Sequence, residues 1–234
     1  MRAYVEEDQQ NSLPGLLDEL RSVGIEPQLI GSDFFQGTLS FLHQPGYETR
    51  PVIVIEGPRV RSHIRAFRNA GCVNPLIVLR GFRNAQETAE LLNLGADDVV
   101  VSPVRGAELL SRTNSVIRRL CGHAADSFVL GELTAYFDGR DPEVAGNRIK
   151  LSKREHSVFQ HLALNSKKVI SKDALYDAIY GASIDQPFDK VIDVYICKLR
   201  KKFSSASKTG WQYIETIHGR GYKLSLPDPA APAE

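Results

Sequence analysis

Asp189-Lys-Val-Ile-Asp-Val-Tyr-Ile-Cys-Lys-Leu-Arg-Lys-Lys-Phe203, followed by Trp211-Gln-Tyr-Ile-Glu-Thr-Ile-His-Gly-Arg-Gly-Tyr222, decides how this chain is read. At about 100° per residue, Ile192, Tyr195, Ile196, Leu199 and Phe203 share one side of a helix and pack inward. The opposite side carries Lys190, Val194, Cys197 and Lys201, flanked by Asp193, Lys198 and Arg200. A helix with an apolar back and a mostly cationic front fits the major groove of DNA, which is wide enough to admit one helix. Such a face also suits a solvated surface. The hairpin that follows, with Arg220 at its tip, the helices before it and the placement of charge favour a winged helix-turn-helix.

The chain has 234 residues, enough for two ordinary domains, and its 42% hydrophobic and 24% charged content is that of a water-soluble globule. Net charge is +1, but the halves differ. Residues 1–127 hold 13 Lys and Arg against 15 Asp and Glu, whereas residues 128–234 hold 16 against 13. All eleven lysines lie at Lys150 or later, in the half with the cationic helix. Cys72, Cys121 and Cys197 have neither metal-ligand spacing nor a paired framework, so reduced thiols in a cytosol are expected. No apolar run approaches a membrane span, and the acidic start Met-Arg-Ala-Tyr-Val-Glu-Glu-Asp does not read as a signal peptide. No membrane partner is expected.

Through residues 1–120, short apolar runs alternate with helical patterns. Strands are expected at Ala3–Val5, Pro27–Ile30, Pro51–Ile55, Leu76–Leu79 and Asp98–Val101, with helices near 12–23, 33–43, 59–70, 84–94 and 106–120. Val-, Ile- and Leu-rich strands separated by helices predict a five-stranded, doubly wound parallel sheet. Ligand chemistry in such a sheet gathers at the carboxyl ends of the strands. Those ends read Glu6-Glu7-Asp8, Glu56, Arg80 and Ser102-Pro103.

With these residues in those places, the half resembles the receiver domain of bacterial response regulators, and the resemblance covers all of it. The family's acidic pair is matched by Glu7 and Asp8, but Glu56 stands where the phosphorylated aspartate is usual. Arg80 replaces a Thr or Ser, and Ser102 replaces the lysine before Pro103. A glutamate carboxylate lies one methylene farther out, and a misplacement of about 1 Å can cost on the order of a hundredfold in rate. No lysine before Lys150 can neutralise a phosphoryl group, and the Arg80 guanidinium would crowd one. A degenerate pocket that does not accept phosphate is expected, with Arg80 paired to Glu56 and to Asp8 in place of a metal ion and lysine. Glu56 is either a strand-end carboxylate without signalling meaning or a fixed mimic of the phosphorylated state. The resemblance also implies a two-fold receiver dimer through the last two helices and the last strand, where Asp97, Asp98, Glu108, Arg112 and Arg118 fit a charge-paired face. Glu87 and Glu90 stand where a basic partner would help it, and plain surface charge is the competing account.

Past a linker at 121–127, strands are expected over Phe128–Phe137 and Val144–Leu151 around the turn Asp138-Gly-Arg-Asp-Pro142. Ser152 with Glu155 forms a capping box opening a helix to Leu164, Ser171 opens a second helix to Tyr180, and Pro187 or its neighbours start the third. The helix and wing strings resemble the effector domain of the OmpR/PhoB family over about 128–226. Within it they look most like cell-cycle regulators of the alphaproteobacteria. Phe137-Asp-Gly-Arg-Asp-Pro-Glu143, Gly95-Ala-Asp-Asp-Val-Val100 and the acceptor-position glutamate look like flagellar regulators instead.

Carried over position by position, the resemblance implies DNA contacts from Lys190, Val194, Tyr195, Cys197, Lys198, Arg200 and Lys201, and from Thr216, His218 and Arg220 in the wing. Lys190 and Lys198 suit phosphates or guanine edges, and Val194 suits a thymine methyl. Tyr195 lies nearer the packed side, leaving its hydroxyl to reach a phosphate. Arg220 between two glycines suits a narrow, A·T-rich minor groove. Tyr222 locks the hairpin.

The expected protein is thus a degenerate receiver (1–120), a linker, a winged-helix domain (128–226) and a disordered tail (227–234). It regulates flagellar or cell-cycle genes as a homodimer on double-stranded promoter DNA with tandem half-sites, and RNA polymerase is an implied partner. No cofactor, metal or enzymatic activity is expected. Two alternatives are a receiver that senses a ligand or protein partner, and a metal-dependent phosphoryl-transfer enzyme using Glu7, Asp8 and Glu56. The missing lysine, the intruding Arg80 and the lack of a Gly-rich phosphate loop count against the enzyme.

Overall fold

The computed structural model describes residues 1–7, 15–166, 168–180 and 190–226. The chain divides into two compact units, Met1–Leu120 and Cys121–Glu234.

The first unit is built on five parallel strands, β1 (Arg2–Glu6), β2 (Glu26–Ile30), β3 (Val52–Ile55), β4 (Leu76–Arg80) and β5 (Asp98–Val101), in the order β2-β1-β3-β4-β5. Side chains alternate along each strand, so Val52, Val54, Leu76 and Val78 enter one apolar layer. Ile53, Ile55, Ile77 and Leu79 enter the other. Both faces are therefore covered, as an all-parallel sheet requires. Helix α1 (Leu16–Ser22) and helix α4 (Gly106–Leu120) supply Leu16, Leu20 and Leu109 to the second layer. Helices α2 (Val60–Asn69) and α3 (Ala85–Leu94) supply Val60, Ile64, Phe67 and Leu91 to the first.

The expected helix over 33–43 does not form. Two short 3₁₀ turns, Ser32–Gln36 and Ser40–His43, take its place, separated by Gly37 in extended backbone. Phe35 and Leu42 are buried from these turns and Leu39 from the link between them, so the apolar spacing is met without one continuous helix. The start of the helix expected from residue 12 lies outside the described residues, as do Asp8, Pro187 and the tail from 227.

In the second unit, the run Phe128–Phe137 is a hairpin rather than one strand. It comprises β6 (Ser127–Leu130) and β7 (Leu133–Tyr136), which join β8 (Glu143–Val144) and β9 (Asn147–Arg148) in a four-stranded antiparallel sheet. Three helices follow: α5 (Lys153–Leu164), α6 (Lys172–Ile179) and α7 (Val191–Ala206). Ser152 and Glu155 form the capping box at the start of α5, and Ser171 accepts from Ala174 N at 3.1 Å at the start of α6. Buried Glu155 also receives Lys202 Nζ at 2.7 Å, which ties α5 to α7. The wing is the antiparallel hairpin β10 (Ile214–Ile217) and β11 (Gly221–Leu224).

Candidate nucleic-acid interface and the strand-end pocket

Helix α7 sorts its residues as its period dictates. Ile192, Tyr195, Ile196, Leu199 and Phe203 are buried, whereas Lys190, Val194, Cys197, Lys198 and Lys201 are exposed. Val194 is an uncovered aliphatic side chain among cations, at 47% exposure. That combination suits a surface that meets both phosphate and a thymine methyl. The wing tip His218-Gly219-Arg220 is exposed, with Arg220 N donating to Ile217 O at 2.9 Å to close the turn. The Arg220 side chain thus projects from a tight, hydrogen-bonded loop.

Two residues expected on this face turn inward. The Arg200 guanidinium donates to Ile214 O from Nε at 2.9 Å and from Nη2 at 2.7 Å, and Nη2 also reaches Thr216 Oγ1 at 2.8 Å. Nε and Nη2 are thus engaged by β10, because at this azimuth the acceptors within reach are Ile214 O and the Thr216 hydroxyl. Burial holds its pKa below the usual arginine value. Tyr195 is 9% exposed, and its hydroxyl lies 2.9 Å from that of Tyr180, at the end of α6, instead of pointing outward. Burial, then the Tyr195 hydroxyl, pushes the Tyr180 phenol up to about 12. Arg154 interacts with the same pair, so the tyrosines brace α5, α6 and α7.

Asp193 was legible only as a flank residue. It accepts from Tyr222 Oη at 2.5 Å and from Lys172 Nζ at 2.9 Å. Burial alone would raise its carboxyl, but the Tyr222 hydroxyl and the Lys172 and Lys190 ammoniums outweigh that and hold it below its ordinary value. Its stabilising contribution is therefore present above roughly pH 4 and lost as pH falls through the lowered value.

At the carboxyl ends of the parallel strands, Arg80 is wholly buried. Its Nε donates to Glu56 Oε1 at 2.8 Å, Nη2 reaches the same oxygen at 2.5 Å, and Nη2 also donates to Glu87 on α3. The expected Arg80–Glu56 pair is present, and the second partner described is Glu87. These hydrogen bonds, Glu56 first, raise the arginine's pKa. Ser102 is half-buried at the end of β5, its amide donating to Arg80 O at 2.7 Å, and its hydroxyl cannot supply an ammonium's charge. Glu7 is exposed past β1, and Asp8 lies outside the described residues.

Glu6 stood at a strand end in the sequence, but its pairing with His63 was not foreseen. It is buried, and its Oε1 lies 2.8 Å from His63 Nδ1, while the imidazole stacks on Phe35 at 4.3 Å between centroids. The signal was available, since His63 falls in register with Val60, Ile64 and Phe67 on the inward face of α2.

A family model described as "Transcriptional regulatory protein, C terminal" matches residues 146–224, which hold the helices and the wing. The chain is 36% identical to the cell cycle response regulator CtrA of Brucella ovis over 165 residues, 70% of each protein. The CtrA of Brucella anthropi is 35% identical over the same share. The chain belongs to the response regulators, in the family of CtrA. It is also similar to the solved response regulator DrrB of Thermotoga maritima, an OmpR/PhoB homologue, at 24% identity, covering 96% of this chain and 98% of that one, with a TM-score of 0.41.

This regulator is therefore a two-component transcription factor with a DNA-binding C-terminal domain, and its family is not enzymatic. No helix among the described residues is long and apolar enough to cross a membrane.

In the regulator's receiver, Arg112 donates to Glu108 Oε1 at 2.8 Å and to Asp98 Oδ2 at 3.1 Å, a cluster on the outer surface of α4 and β5. Asp97 does not join it. Its Oδ2 accepts from Arg68 Nη2 and from Leu76 N, both at 2.7 Å, because Arg68 clamps together the segment before β4, through the carbonyls of Cys72 and Asn74, and the turn before β5, through that of Gly95. Arg118 is half-buried. The acidic residues that looked out of place on α3 are used within the domain, Glu87 by Arg80 and Glu90 by Arg61 at 2.9 Å.

Proposed function

We propose that this regulator binds promoter DNA without phosphorylation of its receiver, acting in the cytoplasm as a receiver-mediated homodimer on tandem half-sites. The observation that carries this is Arg80, buried against Glu56 and Glu87 at the strand-end pocket. A phosphoryl group added there would meet a guanidinium already committed to two carboxylates, with no lysine before Lys150 to compensate. The Arg80–Glu56 pair favours reading Glu56 as part of a permanently closed pocket. The likeness to CtrA supports cell-cycle genes as targets, with the Asp138 turn and Glu56 pointing to motility genes. RNA polymerase is the partner such a regulator needs at a promoter.

The proposed contact set is Lys190, Val194, Cys197, Lys198 and Lys201 in the major groove, with Thr216 and His218 on the backbone and Arg220 in the minor groove. Asp98, Glu108 and Arg112, with Arg118 beside them, are the proposed dimer face. Half-sites are expected about 10 bp apart, one helical turn.

The decisive experiment is selection of bound genomic promoter fragments with and without a small phosphodonor and Mg²⁺, together with intact-mass measurement. Selective binding that is unchanged by donor, with no added phosphoryl mass, is the expected result. Binding that requires the donor overturns the reading. On the selected site, Lys201→Ala is expected to weaken all sequences alike and to lower the salt slope by about 1. Arg220→Ala is expected to relax the preference at A·T positions, by about 1–3 kcal/mol per position. Identical sequence profiles for wild type and Arg220→Ala would remove the wing assignment.

A further inference from the structure

The exposed stripe of α7 and the wing tip can read one stretch of DNA together only if the angle between them is held. The backbone bridge of Tyr222 to Ile170 secures β11, and two side chains of α7 fasten the wing to the helix itself. Asp193 reaches β11 through the Tyr222 hydroxyl, and Arg200 reaches β10 through Ile214 O and Thr216 Oγ1. Arg200 is seven positions after Asp193, so the two lie nearly in line along the helix, about 10 Å apart. Thr216 and Tyr222 are opposite each other in the hairpin register, so both wing strands are pinned. The tip begins two residues beyond Thr216, and Arg220 lies two before Tyr222. A hairpin fastened on both strands at two points spaced along a helix is restrained against both sliding and tilting.

We propose that Asp193, Tyr222 and Arg200 are positioning residues that set where Arg220 enters the minor groove relative to the major-groove contacts of α7, and thereby determine sequence specificity at the wing. This rests on the DNA-binding reading above. The arrangement withstands changes in conditions. Lys172 donates to Asp193 from the start of α6, and the Lys172 and Arg200 cations lie 6.0 and 5.9 Å from the centroid of the Tyr222 ring. Burial, then the Asp193 carboxylate, pushes the Tyr222 phenol up to about 12, so it remains a donor over the working pH range. A role of this kind also accounts for an arginine on the recognition helix whose donors face the protein.

The test is a double-mutant cycle on the full chain, read by binding to a selected duplex and to versions with G·C substituted at the wing positions. Wild type is expected to favour A·T there by roughly tenfold, the scale of one mismatched pair. Tyr222→Phe removes one hydroxyl and leaves the ring in place. It is expected to reduce that preference to less than about threefold, to leave the preference at α7 positions unchanged, and to make a further Arg220→Ala nearly silent. Asp193→Asn keeps an acceptor for the Tyr222 hydroxyl and is expected to retain most of the wing preference, which a purely electrostatic role would not allow. Full wing preference in Tyr222→Phe, with Arg220→Ala costing as much as in wild type, overturns the proposal. Equal weakening at every position in both strut variants also overturns it, since that is a stability effect. A wild type with no sequence selectivity would instead remove the DNA-binding reading itself.

Discussion

Gly221→Ala is expected to unfold the wing and abolish sequence-selective DNA binding while leaving the receiver intact. Gly221 has φ +136°, a region that L side chains rarely adopt, at a cost of order 1–3 kcal/mol. A Cβ there would also stand 2.0 Å from Ile170 O, a backbone atom held in a bridge in which Ile170 N donates to Tyr222 O at 2.8 Å and Tyr222 N to Ile170 O at 2.9 Å. The bridge must open to make room, losing two hydrogen bonds at about 1 kcal/mol each. The combined destabilisation is about 3–5 kcal/mol, enough to lower the melting point of a domain of this size by more than about 10 °C. The single tryptophan, Trp211, belongs to the C-terminal unit, so its fluorescence follows that unit alone. Gly219→Asn is the control. Gly219 has φ +70° with open space around it, and asparagine tolerates that left-handed conformation. If Gly221→Ala melts with wild type by Trp211 fluorescence, the close approach to Ile170 is wrong.

Arg80→Ala is expected to destabilise the receiver by about 3 kcal/mol. Removing the guanidinium leaves a buried void and sets the Glu56 and Glu87 carboxylates beside each other without a cation. Breaking a buried ion pair from one side typically costs about 3–5 kcal/mol, and the low end applies because both carboxylates keep a solvent-exposed edge. Denaturant unfolding followed by the circular dichroism of the receiver, with Trp211 fluorescence as the internal reference, measures this. Adding Glu56→Gln and Glu87→Gln to Arg80→Ala should recover part of the loss by removing the like-charge repulsion. Dimerisation, read by sedimentation, is expected to weaken in parallel, because Arg80 anchors α3 to the strand ends beside the proposed dimer face. An unchanged receiver midpoint and dimer constant would show that the buried pair is not what holds this pocket closed.

Much of this architecture was legible without coordinates, for identifiable reasons. The parallel sheet announced itself because Val52–Ile55 and Leu76–Leu79 are apolar at every position, which only a sheet covered on both faces requires. The recognition helix announced itself because Ile192, Ile196, Leu199 and Phe203 keep the helical period. Arg80 and Glu56 could be paired in advance, since strand ends in such a sheet converge and opposite charges there have one economical arrangement. The family followed from two spaced strings in order.

Other features depended on where elements meet. The segment 33–43 carried a helical apolar pattern, yet two short turns and the link between them bury Phe35, Leu39 and Leu42 equally well, and local pattern does not rank those solutions. Glu87 looked like a surface charge, because nothing in its own helix reveals that Arg80 lies beneath it. Asp97 looked like part of an outer face until Arg68, 29 residues earlier, claimed it.

The period of each element, the apolar face it buries and the charges at the strand ends are all written in the residue order, because they follow from backbone geometry over a few residues. The directions in which Asp193 and Arg200 point are instead set by packing between elements. Both sit on the border between the buried and exposed stripes of α7, and from there a side chain takes whichever partner packing brings within reach. Here packing brings the wing.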